Sequence, residues 1–196
     1  MTKHIGILLF EGVEELDAVG PWEVLSWWTR TYPEDDYDVF LMADSLDAVA
    51  CAKGMRILPD VTVDAAQPLE VLIYPGGRGT RGHLLDEQRI EWVRGQRAVT
   101  PLMASVCTGS LVYAAAGILA NRPATTHWGS LQLLGELDPS IEVRDLDRFV
   151  DDGDTITSAG VSAGIDMALH LVARLAGVER AREVRRGIQY DPEPPV

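Results

Sequence analysis

Pro101–Ala116 reads PLMASVCTGSLVYAAA. A short apolar run leads to Cys107, and a second apolar run follows Gly109. Ser105 and Gly109 flank the cysteine two positions on either side, the spacing of a nucleophile elbow with Cys in place of Ser. Small flanking residues permit a tight strand-to-helix turn. A thiol at a helix start faces unpaired N–H groups and the positive dipole end, so the expectation is a stabilised thiolate. The uncharged stretch Ala98–Ala120 is long enough for the ~20 apolar residues of a membrane span. Pro101, Ser105, Thr108, Gly109 and Ser110 interrupt it, so it reads as a buried strand, a turn and a buried helix.

Working outward, short β-rich runs alternate with helical runs, the pattern of a layered α/β fold. Strands are expected at His4–Phe10, Tyr37–Met42, Val71–Tyr74, Pro101–Ser105 and Ala124–Thr126. Two hairpins are expected, one around Lys53-Gly54 and one around Asp152-Gly153. Helices are expected at Leu16–Arg30, Asp86–Arg97, Thr108–Ala116, Ser162–Ala176 and Glu179–Gly187. Pro21 is tolerable only near the start of its helix. Asp191–Val196 holds three prolines in six residues and reads as an irregular tail.

The 196 residues fit one domain spanning 1–196. A hydrophobic fraction of 46% against 24% charged excludes disorder as the main state. The net charge of −13 argues against nucleic-acid partners, because phosphate backbones attract positive surfaces. Arg180, Arg182, Arg185 and Arg186 alternate with Glu179 and Glu183 and read as a solvated helix face. Two distant cysteines and the absence of a signal-peptide pattern after Met1 fit a reduced, cytoplasmic setting. Neither a membrane partner nor a cofactor is expected, and no His/Cys/Asp/Glu cluster has metal-ligand spacing.

In parallel sheets ligands bind beyond the carboxyl ends of the strands. That singles out Gly12–Asp17, Gly76–Thr80, Val106–Gly109, His127 and Gly160–Gly164. Gly76 and Gly77 let backbone amides approach a ligand, as oxyanion donors together with the N–H of Thr108. Asp17 either favours its helix dipole or shares a proton with the thiol. His127 is a second candidate base for Cys107. His4, His83 and His170 read as structural or exposed. Cys51 reads as an inert thiol, and Trp22, Trp27 and Trp28 as core or interface.

Taken in order, IGILLF with ELD, YPGG, SVCTGS, ATTHW and AGVSAGIDMAL resemble the ThiJ/PfpI superfamily. Its fold is similar to that of class I glutamine amidotransferases: a three-layer α/β/α sandwich, flavodoxin-like, with a mostly parallel sheet. Within it the chain is similar to bacterial isocyanide hydratases. Asp17 stands where many relatives have Glu, and Thr108 follows the cysteine.

The resemblance implies hydration of an isocyanide to an N-formamide and a homodimer acting on a small molecule. Cys107 would be the nucleophile and Asp17 the acid/base, with Thr108 holding Asp17 or the thiol. Amides of Gly77 and Thr108 would line the pocket, and Val161 would border it. The resembling hydratases continue past the proline-rich tail. The basic Arg78–His83 loop points to a polar or anionic substrate.

Other readings differ at identifiable residues. Amidases and peptidases of the superfamily have His directly after the cysteine. Glyoxalases and deglycases have Glu at the Asp17 position. Ligand-sensing regulators carry an added DNA-binding domain, for which the chain is expected to have no room. A redox sensor would use Cys107 without turnover.

Overall fold

The β-rich runs pair into a mostly parallel sheet flanked by helices on both faces. The computed structural model describes residues 2–192. In chain order the elements are β1 (Lys3–Leu8), α1 (Glu15–Thr31), β2 (Tyr37–Ala43), β3 (Val49–Ala50), β4 (Arg56–Ile57), β5 (Val61–Thr62) and β6 (Leu69–Tyr74). There follow α2 (Thr80–His83), α3 (Glu87–Val99), β7 (Leu102–Val106), α4 (Gly109–Ala115), β8 (Pro123–Ala124), α5 (Leu131–Leu137) and β9 (Glu142–Val143). The chain closes with β10 (Phe149–Asp151), β11 (Thr155–Ser158), α6 (Ala163–Ala176) and α7 (Val178–Gly187).

The central sheet has the order β10-β11-β7-β6-β1-β2-β5. Every neighbouring pair is parallel except β10 with β11. β1, β6 and β7 sit in the middle of this order. Their Ile5, Ile7, Val71, Leu72, Ile73, Met103 and Val106 are fully buried, as expected for strands covered on both faces. Each such side chain contributes about 1.5–3 kcal/mol by leaving water. Helices α1, α6 and α7 pack together, and α2 to α5 pack together, forming the two outer layers.

Local chemistry explains the helix boundaries. Asp86 caps α3 by accepting from the N–H groups of Gln88 and Arg89 at 3.0 and 3.1 Å. α7 is anchored by Arg180, whose Nε and one terminal nitrogen donate to the two Asp35 oxygens at 2.8 and 3.0 Å. Asp35 also accepts from the indole of the buried Trp28 at 2.6 Å. Arg182 pairs with Glu179 and Arg185 with Asp191, so much of the basic charge of α7 is neutralised in place.

Several expectations need correction. Pro21 lies in the second turn of α1, not at its start. It is tolerated where α1 meets α6, beside Gly164. The Ala124–Thr126 strand is β8, which pairs with β9 in a separate two-stranded sheet. Side chains tie the following residues to the site instead: Thr125 N–H donates to Thr157 Oγ1 at 2.9 Å, and Thr126 Oγ1 to the Cys107 carbonyl at 2.8 Å. β5, α2, α5 and β9 were not expected. Of the proline-rich tail, residues 193–196 lie outside the described residues.

Candidate active site

Four loops meet at the carboxyl end of the parallel strands, following β1, β6, β7 and β11. Cys107 directly follows β7 with φ +56°, a left-handed backbone that is uncommon outside glycine. Such a residue costs about 1–3 kcal/mol and persists where its surroundings over-determine it. Here they do. The Cys107 N–H donates to the carbonyls of Ser158 and Ala159 at 3.1 and 3.2 Å. Its own carbonyl accepts from Ser110 Oγ at 3.1 Å and Thr126 Oγ1 at 2.8 Å. The side chain is left 5% exposed.

Asp17 arrives from the first turn of α1 and is fully buried. Its Oδ2 accepts from the Gly76 N–H at 3.0 Å. Gly76 has no room for a side chain. A Cβ there would stand 2.5 Å from Thr108 N, 2.7 Å from Asp17 Oδ2 and 2.8 Å from Cys107 Cβ. The carboxyl and the thiol are therefore neighbours across a glycine. Asp17 Oδ1 is buried without a formed hydrogen bond among the described residues.

Burial pushes the Asp17 carboxyl up to about 7, against the opposing help of the Cys107 thiol and the Gly76 N–H. Burial also pushes the Cys107 thiol up, to about 12, and the charge of Asp17 adds to that. The N–H groups of Thr108 and Val161 pull it down, but less. This corrects the expected resting thiolate. The helix start does supply a donor, yet desolvation and a neighbouring carboxylate outweigh it. The resting pair keeps its proton on sulfur and its charge on Asp17 as pH rises past the carboxyl's value.

Among the described residues the Thr108 hydroxyl bonds neither the thiol nor Asp17, which corrects a second expectation. Its Oγ1 accepts from the Gly77 N–H at 3.0 Å and from Thr80 Oγ1 at 3.1 Å, and lies 3.2 Å from the Gly77 carbonyl. The Gly76 and Gly77 amides are thus committed to Asp17 and Thr108 and are not pocket donors. Gly77, at φ +123°, is where the β6 loop crosses the β1 loop. A side chain there would collide with Glu14 N and Gly12 O. Val161 borders the sulfur through its own N–H.

His127 stands apart from this pair. Its Nδ1 accepts from the Gly129 N–H at 3.1 Å, and its ring lies against Gly160. Among the described residues no hydrogen bond joins it to Cys107. The basic loop is also otherwise occupied. Arg78 donates to the Ala52 carbonyl and Arg81 to Ser130 Oγ at 3.1 Å. His83 Nδ1 pairs with Tyr74 Oη at 2.6 Å, and burial holds its pKa down at about 4. The acidic side chains of Glu14 and Glu15 hold Lys53 beside the entrance of α1. Arg78 and Arg81 are thus tied to neutral partners and keep their charge.

Sequence reasoning passed over Thr126 and Thr80, which fix the Cys107 carbonyl and the Thr108 hydroxyl. The threonine pair preceding His127 carried that signal. Among the described residues no group of His, Cys, Asp and Glu is placed to hold a metal.

The model of the DJ-1/PfpI family matches residues 3–174. The chain is 40% identical over 195 residues to isonitrile hydratase of Pseudomonas putida, covering 100% of this chain and 82% of that protein. It is 30% identical to the HTH-type transcriptional regulator GbdR of Pseudomonas aeruginosa over 96% of this chain, but spans only 51% of the regulator. The crystal structure of a ThiJ/PfpI family protein from Pseudomonas syringae superposes with a TM-score of 0.88 at 31% identity, covering 100% of this chain and 78% of that one. The chain belongs to the DJ-1/PfpI family.

Proposed function

We propose that this protein hydrates isocyanides to N-substituted formamides, with Cys107 as nucleophile and Asp17 as acid and base. The observation that carries the reading is the buried carboxyl set against the thiol across Gly76. The 40% identity to isonitrile hydratase supports the substrate class.

The chemistry follows from where the proton sits. Asp17 takes the thiol proton as sulfur adds to the terminal isocyanide carbon and the C–S bond forms. Asp17 then returns that proton to the same carbon, giving an S–CH=N–R thioimidate. Water adds to this carbon while Asp17 relays one of its protons to nitrogen. The C–S bond breaks, the hydroxyl proton returns through Asp17 to sulfur, and R–NH–CHO leaves. One water is consumed and no electrons are exchanged. A carboxyl poised at about 7 suits a group that both accepts and donates. A soft sulfur nucleophile suits an uncharged carbon electrophile.

A small-molecule substrate, a homodimer and a cytoplasmic setting belong to the same proposal. Among the described residues no helix is long and apolar enough to cross a membrane. An amidase reading lacks support at Thr108, and a thiol held protonated is poorly suited to sensing peroxide. The test is an aryl isocyanide in heavy water, with the product followed by NMR. A formamide bearing deuterium on its formyl carbon is expected, and none with Cys107→Ala. No formamide from the folded wild-type protein would overturn the substrate class.

A further inference from the structure

The turn Ala159–Ser162, between β11 and α6, forms one wall of the site. Within it Val161 lies at φ +49°, a β-branched residue in left-handed backbone; the turn meets Cys107 directly, the Cys107 N–H donating to the Ala159 carbonyl at 3.2 Å, and the Val161 N–H draws the thiol's pKa down. A genuine outlier of this kind must be held by its surroundings. The start of α6 holds it by main chain alone: the Ala163 N–H donates to the Gly160 carbonyl at 3.2 Å and the Gly164 N–H to the Val161 carbonyl at 3.3 Å, while Ser162 makes no side-chain cap bond.

An ion cluster outside the site brackets the same turn. Arg148 Nε donates to Asp166 Oδ2 at 2.9 Å, and a terminal nitrogen of the same guanidinium reaches the same oxygen. That nitrogen also lies 3.5 Å from Ser162 Oγ. The Arg148 carbonyl meanwhile accepts from the Ala159 N–H at 2.9 Å. One residue therefore grips the turn at both ends, by its main chain at Ala159 and by its side chain at Ser162 and Asp166. The other Asp166 oxygen accepts from Tyr190 Oη at 3.0 Å. Tyr190 is itself fastened to α7, donating its N–H to the Arg185 carbonyl and accepting from Arg185 Nε, both at 3.0 Å. An exposed ion pair alone is worth little. Here a charge-assisted acceptor is shared between two donors from distant parts of the chain, which fixes geometry as well as energy.

We propose that Arg148, Asp166 and Tyr190 are positioning residues that hold the Val161 N–H on the Cys107 sulfur and thereby set the reactivity of the thiol. The proposal rests on Cys107 being the reactive centre, but not on isocyanide being the substrate. The other groups facing the sulfur are the Asp17 carboxyl from α1 and the Thr108 N–H. Glu14 and Lys53 act on Asp17 from outside.

The test is site-resolved alkylation by iodoacetamide, read by peptide mass across a pH series on the full chain, with Cys51 as internal control. Asp166→Asn and Arg148→Ala are expected to slow Cys107 alkylation at pH 9 by about tenfold, the equivalent of one pKa unit upward. Tyr190→Phe should slow it by about threefold, and Arg148→Lys should recover most of the loss, because it keeps the charge without the fork. Cys51 should be unaffected. Unchanged Cys107 rates in the folded variants would overturn the proposal. So would Cys107 and Cys51 shifting together, which is general loosening. If Arg148→Ala does not fold, Tyr190→Phe, which removes one hydroxyl, still decides. A wild-type Cys107 inert at every pH would remove the reactive-centre reading. Failure to hydrate isocyanides would leave this test standing.

Discussion

Burial leaves Cys107 and Asp17 room for one negative charge between them. With the carboxyl at about 7 and the thiol at about 12, the working form carries one proton across the pair. Below the lower value both groups are protonated and the site is idle. The expected kcat/KM therefore rises with pH through about 7. A flat profile from pH 5 to 9 would remove Asp17 from the proton path.

The same shift bears on stability. A carboxyl raised from 3.8 in the unfolded chain to about 7 in the fold stabilises the protein fully below the lower value. That contribution is lost as pH rises through the higher one. Asp17→Asn is thus expected to abolish turnover and yet raise stability at pH 8 by roughly 2–4 kcal/mol, with little change at pH 4. Denaturant melts at the two pH values check it. At this scale Cys107, Asp17, Thr108 and Val161 were all visible as residues following strands. The charge state of the thiol was not. The sequence offers a helix start and Asp17 as a proton-sharing partner, but not the burial that raises both groups.

The elements of the site work as a stack of loops. The β6 loop lies between α1 and the start of α4, and Gly76 meets both. Gly76→Ala must push Thr108 N, Asp17 and Cys107 apart. The expected cost is about 2–3 kcal/mol of stability, with a greater than tenfold loss of Cys107 reactivity. Melting and alkylation measure the two, and wild-type values for both would deny the close approach.

The strands were legible because buried parallel strands read as unbroken apolar runs, as in Val71–Tyr74. β8 was misassigned because its apolar–threonine run mimics a sheet strand, whereas Thr125 and Thr126 bond through other groups. α5 carries Leu131, Leu134 and Leu137 at helical spacing. Gly129 and Gly135 masked that signal. Pro21 did not break the helix read over Leu16–Arg30, although it lies in the second turn, where α1 packs against α6.

Across the whole molecule the 30 acidic side chains outnumber the 17 basic ones. The arginines that looked available in the sequence are largely committed. Arg78, Arg81 and Arg180 hold Ala52, Ser130 and Asp35. Pairing of this kind depends on which loops meet, so no local charge count reveals it. A net charge of −13 then repels anions at long range. An isocyanide bearing a carboxylate should show a kcat/KM about tenfold below its neutral isostere at low salt. The gap should close as salt screens the field. A preference for the anionic substrate would mean that the local charge of Arg78 and Arg81 outweighs the field of the whole molecule.

The central claim is covalent chemistry at one sulfur. Intact-mass and peptide-mass spectrometry on protein quenched during turnover of an aryl isocyanide tests it most directly. An adduct of one substrate mass on Cys107 is expected, absent from Cys51 and from Cys107→Ala. Formamide accumulating while Cys107 stays unmodified, or undiminished turnover by Cys107→Ala, would contradict it.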